Sequence, residues 1–266
     1  MGLAFSSLSI QFSIEVSFLS LLLLFTLSLC SGIITAAIGP GGVLLIAGLH
    51  VFTPLSPAEV AGTSSGTFFI GSILGASKFA QSGEINYRLS GVLSLASVVG
   101  VQFGVGVNRF VSENMFNTIL AGILGVAGLV VIYKQYNKLT SAYALSVYSL
   151  SGIVVVTLLG LVVGTTGGLT GIGGPALSVP ALLILGVPII QAVSAGIVQS
   201  VFMTASTGIR YALTGDIGLI LLFTLATPFA VGILIGYRIA HKLDTNILRI
   251  SLGVFLIIVS GIIALG

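Results

Sequence analysis

Ten apolar runs succeed one another along 266 residues, at about 16–38, 42–54, 59–80, 89–108, 115–133, 144–169, 174–187, 190–213, 217–237 and 246–265. Most come near the roughly 20 residues that carry an α-helix across the hydrocarbon of a bilayer. Little charge separates them: the chain has nine Lys or Arg and six Asp or Glu, against 56% hydrophobic residues. That is too little polar surface to clothe a water-soluble globule, so lipid is the natural solvent. An outer-membrane barrel would need short segments of alternating apolar and polar residues, and the runs lack that pattern. The expectation is an all-α, polytopic, multi-pass membrane protein whose spans satisfy their own backbone hydrogen bonds.

The same inventory excludes several functions. Residues 1–15 carry no Lys or Arg and a lone Glu15, so they lack the basic start of a signal peptide and read as a retained N-terminal tail. Cys30 is the one thiol, too few for an internal disulfide or a cysteine metal cluster, and reads as a small packing residue. The net charge of +3 forms no basic stripe, so no nucleic-acid partner is expected. The stretch GTSSG at 62–66 matches a serine-hydrolase elbow only in letters, because that motif needs a strand before it and a histidine partner. His50 lies in a short apolar run and His241 in a charged loop, without metal-ligand spacing. Glu59, Glu84 and Asp216 fall near segment ends. No metal, cofactor, proton relay or enzymatic constellation is expected.

A single shift, 171 − 39 = 132, lays Gly39, Gly41 and Gly42 on Gly171, Gly173 and Gly174. It also lays KFAQSGEI (78–85) on RYALTGDI (210–217), Gly100 and Gly104 on Gly232 and Gly236, and Asn114 on Asn246. Matches this widely spread at a constant offset indicate tandem duplication. The chain divides into a tail (1–15), a first five-segment repeat (16–133), a polar linker (134–143) and a second repeat (144–266). If short segments reverse direction as full crossings do, Lys78, Arg88, Lys134, Lys138, Arg238, Lys242 and Arg249 flank one face, and Arg109 and Arg210 the other. The richer face is then cytoplasmic, and five passes per repeat make the repeats inverted. Segments that instead re-enter and leave on one face would make them parallel.

In each repeat the glycine cluster interrupts an oily run just before a segment too short to cross. Thirteen residues, 42–54, reach about 20 Å, whereas the hydrocarbon is roughly 30 Å thick. These segments read as half-helices that begin inside the membrane, with Pro175 in a first turn where its missing N–H costs nothing. A helix start presents unpaired N–H groups and about half a positive charge. Two starts that face each other therefore make an anion site without a buried Lys or Arg. Candidate ligand contacts are Gly39, Gly41, Gly42, Gly171, Gly173 and Gly174. The following helix of each repeat adds Ser64, Thr67, Ser194 and Gln199, with Ser65 as a further hydroxyl. Thr67, Gly71, Gly75 and Lys78 share one helix face, as do Gln199, Met203, Ser206 and Arg210, so Lys78 and Arg210 are candidate pathway or gate residues. Gly71/Gly75, Gly100/Gly104 and Gly232/Gly236 have the four-residue spacing of helix packing.

A duplicated Gly-x-Gly-Gly, a short apolar run with proline, and an Ala/Thr/Ser-rich helix ending in an aromatic residue and Gly-acidic-Ile resemble the TauE/SafE family. These are the sulfite exporter or toluene-sulfonate uptake permeases, and the resemblance covers the chain from about residue 20. It implies a secondary transporter in the cytoplasmic (inner) membrane of a prokaryote, moving a small sulfur-containing or organic anion such as sulfite, sulfoacetate or another sulfonate. Carried over by position, the motif falls on Gly39, Gly41, Gly42, Gly171, Gly173, Gly174 and Pro180. Val43 and Pro175 stand where a third glycine is common, and Gly48 stands opposite Pro180. An anion channel that uses the glycine turns as its filter is the alternative. A coupling ion, proton or sodium, is an expected further partner beside the anion and membrane lipid; direction of transport and oligomeric state are not legible.

Overall fold

The computed structural model describes residues 18–107, 113–136 and 149–265. The tail at 1–15, Arg109, Lys138 and most of the linker lie outside them. All regular structure among the described residues is helical: α1 (Phe18–Ile38), α2 (Gly42–Phe52), α3 (Pro57–Gln81), α4 (Tyr87–Val107), α5 (Glu113–Tyr136), α6 (Leu150–Thr170), α7 (Pro175–Ile184), α8 (Ile189–Thr214), α9 (Leu219–Lys242) and α10 (Thr245–Leu265). Each corresponds to one apolar run of the sequence. His241, expected in a loop, instead lies in the last turn of α9, where its Nδ1 donates to Tyr237 O (2.7 Å) and its Nε2 meets Glu84 (2.7 Å).

Local chemistry sets the boundaries. The hydroxyl of Ser56 accepts from Glu59 N, and Glu59 Oε2 accepts from Ser56 N, so a reciprocal cap followed by Pro57 starts α3. Gly171, at φ 73°, ends α6 in the left-handed region and donates to Gly167 O at 2.7 Å.

Among the described residues, six helices are long and apolar enough to cross a membrane: α1, α4, α6, α8, α9 and α10. The 25 residues of α3 fall outside that set because Gly, Ser and Thr crowd its sequence. Those residues suit its position, for much of α3 is packed against α8 and α9. Large side chains such as Leu95, Leu158, Val162 and Phe223 stand on the outer surface, where hydrocarbon is their solvent.

Helix directions follow from which residues meet. The start of α3 lies on the end of α8, with Gly218 N donating to Thr63 Oγ1 (2.9 Å). The end of α3 lies by the start of α8, with Ser194 Oγ donating to Glu84 O (3.1 Å). These two helices are therefore antiparallel. So are α5 and α10, joined by Gln135 to Asn246 (2.9 Å) at one end and by Ser260 Oγ to Ala121 O (2.8 Å) towards the other. The pairs α1/α9 and α4/α6 are parallel and close. A Cβ on Gly232 would stand 3.0 Å from Gly32 Cα, and one on Gly100 would stand 2.8 Å from Thr165 N and 3.1 Å from the Gly164 carbonyl carbon. Backbone packs on backbone, as the four-residue glycine spacing predicts.

Candidate anion site between two helix starts

The two short helices use their glycine turns differently. Gly39 takes φ 110°, a conformation that L side chains avoid, and reverses the chain after α1. Gly41 then packs on α1, where a Cβ would lie 2.5 Å from Thr35 N, and Ser31 Oγ donates to Gly41 O (2.8 Å). Further along, Gly48 lies against Leu27 and Leu24, so α2 folds back along α1. The second short helix leaves its own predecessor: α7 packs mainly on α8, with a Cβ on Gly196 3.1 Å from Pro175 Cα. Pro180 sits inside α7, where it removes one backbone donor from a ten-residue helix.

The helices nevertheless start beside each other. A Cβ on Gly42 would lie 3.7 Å from Gly173 N. Neither N-cap, Gly41 nor Gly174, has a side chain to cap the first-turn amides. One donor in each first turn is taken by a tight backbone bond: Leu44 N to Gly41 O (3.0 Å) and Ala176 N to Gly173 O (3.2 Å). Among the described residues, the buried polar side chains are Ser, Thr and one Gln. No cationic side chain is among them, so the positive potential available at this depth is that of the helix-start peptide dipoles.

Phe68 occupies the gap. Its ring would be 3.2 Å from a Cβ on Gly42 and 3.6 Å from one on Gly173, and it packs at a tilt on Phe229 with centroids 5.0 Å apart. Polar groups line the side nearest α8. Ser200 Oγ would stand 3.4 Å from a Cβ on Gly173 and bonds Ser72 Oγ at 3.0 Å. Gln199, fully buried, donates through Nε2 to Ser97 Oγ (2.6 Å), while its Oε1 has no partner and would lie 2.8 Å from a Cβ on Gly174.

Of the residues expected from sequence, Gly42, Gly173, Gly174 and Gln199 converge on this gap. Gly39 and Gly41 shape its wall by turning α2 onto α1. Gly171 is the left-handed cap of α6, and Ser64 Oγ donates to its carbonyl at 3.4 Å. Thr67 bonds back to Thr63 O (3.0 Å), as membrane hydroxyls commonly do. The hydroxyl of Ser194 is held at Glu84 O, away from the glycine turns, and Ser65 Oγ is buried without a partner. Lys78 and Arg210 are exposed near the C-terminal ends of α3 and α8, which point to opposite ends of the bundle. The helix faces that lead to them are packed here: Gly71 meets Phe229, Gly75 meets Ile197 and Ile233, and Ser206 Oγ accepts from Gln102 (2.9 Å).

Phe68, Ser72, Ser97, Ser200 and Phe229 were missed by sequence reasoning. A signal existed, since the 132-residue shift pairs Phe68 with Ser200 and Ser97 with Phe229. At both pairs of positions an aromatic ring stands against a hydroxyl.

The fold defines a multi-pass helical membrane protein, with helices long and apolar enough to cross a bilayer. The profile of the sulfite exporter TauE/SafE family matches residues 24–263, and the chain belongs to that family. It is also similar to a probable membrane transporter protein of Methanocaldococcus jannaschii, 27% identical over 259 residues, covering 90% of this chain and 94% of the relative. No solved structure matches it.

Proposed function

We propose that the protein is a secondary transporter of the cytoplasmic membrane of a prokaryote and moves a small sulfur-containing or organic anion, of the sulfite or sulfonate class, by alternating access. The observation that carries this reading is the approach of two helix starts, Gly42 to Gly173, in a charge-free interior lined by Ser72, Ser200 and Gln199. Donors fixed by the fold replace the hydration of an anion without the cost of burying a Lys or Arg.

The repeat reading supplies the motion. Two pairs of shift-related helices, α3/α8 and α5/α10, run antiparallel, while the parallel pair α1/α9 mirrors α6/α4. That pattern is expected of inverted repeats related by an axis in the membrane plane. Lys78, Arg88, Arg238, Lys242 and Arg249 then fall on the cytoplasmic side and Arg210 on the other. The halves are not in equivalent states, because α2 lies on α1 whereas α7 lies on α8. Exchange of these two packings is the proposed switch, and the Phe68/Phe229 pair is the inner gate that withdraws when an anion enters.

Counterflow in proteoliposomes tests the carrier mechanism. Sulfite or a sulfonate inside the vesicles should accelerate uptake of labelled substrate. Uptake indifferent to the inner anion would identify a channel, and no anion-dependent flux would end the proposal.

A further inference from the structure

The buried amide of Gln199 places a chemical requirement on the anion. Ser97 Oγ has one proton and two carbonyls within reach, Leu93 O at 2.7 Å and Gly160 O at 3.0 Å. That proton therefore goes to a carbonyl, and the group 2.6 Å away on Gln199 must be a donor. The opposite amide orientation would set Ser97 Oγ donating to Gln199 and leave both short contacts to the carbonyls without a proton. Amide orientation is inferred from such networks, and this network fixes it. The consequence is a bare acceptor, Gln199 Oε1, on a side chain that is 0% exposed, aimed at the first residue before α7. An unsatisfied carbonyl at this depth costs free energy until something donates to it.

An anion offers only lone pairs to the helix starts, which is what their amides need, but it would repel Gln199 Oε1. We propose that the substrate is an oxyanion that carries its own hydrogen-bond donor: a singly protonated oxyanion, or a sulfonate with an N–H or O–H beside the charged group. Its oxygens face the amides around Gly173 and Gly174, and its N–H or O–H satisfies Gln199 Oε1. This inference rests on the anion site proposed above and narrows the class of anion it takes. A fully deprotonated or purely alkyl anion leaves the acceptor unpaired, and sites built around a buried hydrogen-bonding group reject analogues that lack the partner.

Sulfamate and methanesulfonate are suitable probes, since both are monoanions with a tetrahedral sulfonyl head and differ by NH2 against CH3. Their affinities for the purified full-length protein are measured by titration calorimetry, with Gln199→Met as the variant. Sulfamate should bind the unaltered protein about tenfold or more tightly than methanesulfonate. Gln199→Met should bring the two affinities together while methanesulfonate binding persists, which also shows that the variant is folded. Equal affinities in the unaltered protein, or a preference that survives Gln199→Met, would overturn the donor requirement while leaving the anion site standing. Binding of both anions that is equal and requires sodium would assign Oε1 to the cation and also overturn it. Failure of both anions to bind would remove the helix-start site itself.

Discussion

Phe68 packs on Phe229 with ring centroids 5.0 Å apart and planes tilted by 49°, in the space where the starts of α2 and α7 meet. Phe68 is 1% exposed. In the proposed mechanism this ring is the obstacle that must withdraw before an anion can reach both helix starts. Phe68→Ala should lower stability by about 3 kcal/mol through the cavity it leaves. Anion association, followed by stopped-flow quenching of an introduced fluorophore, should become faster. Slower association, with affinity lost, would make the ring a ligand contact instead of a gate.

Gly41 and Gly173 occupy matching places in the sequence and unlike places in the fold. A methyl on Gly41 meets Ser31 O and Thr35 N, both backbone, so Gly41→Ala must push α2 off α1. Thermal unfolding in detergent should report a cost of about 1–3 kcal/mol. The nearest atom to a methyl on Gly173 is Ser200 Oγ at 3.4 Å. Gly173→Ala should therefore melt near the unaltered protein yet bind sulfonates several-fold more weakly. Unchanged binding would place the anion elsewhere.

The glycines between α1 and α9 test what holds the bundle together. Gly232→Leu inserts a side chain against Ile33 N (2.9 Å) and Gly32 Cα (3.0 Å) and should lower the melting temperature sharply, since neither neighbour is a movable side chain. Gly106, in α4, has nothing within 4 Å of its Cβ position. Gly106→Ala should be neutral or stabilising by about 0.5–1 kcal/mol. Similar melting temperatures for the two variants would show that close backbone contact is not what packs these helices.

Lys78 and Arg210 report the topology. In a Cys30→Ala background, Lys78→Cys should react with a membrane-impermeant maleimide from the cytoplasmic side and Arg210→Cys from the opposite side. Labelling of both from one side contradicts inverted repeats. Replacing either by alanine should reduce transport, with the two defects on opposite sides of the membrane.

Much of this architecture is legible in one dimension because lipid imposes a simple rule. Every spanning segment must be predominantly apolar and must close its own hydrogen bonds, so the long runs map directly onto helices such as α1, α4, α6, α8, α9 and α10, and the short ones onto α2 and α7. The α3 capping box at Ser56 and Glu59, the reversal at Gly39 and the four-residue glycine spacing at Gly100/Gly104 and Gly232/Gly236 are likewise local. Each is dictated by backbone conformation or by helical periodicity, which neighbouring residues carry by themselves.

What lines the gap between the helix starts was decided at longer range. Gln199 is bonded to Ser97, Ser72 to Ser200, and Phe68 is packed on Phe229, and each pair is separated by more than a hundred residues. Likewise Gly41 faces α1 while Gly173 faces the gap, although both stand in the same short motif. A motif specifies where the backbone can turn and where amides are left unpaired. Which of those amides looks into a gap, and which is buried against a neighbouring helix, depends on how ten helices pack, and that packing exists only in three dimensions.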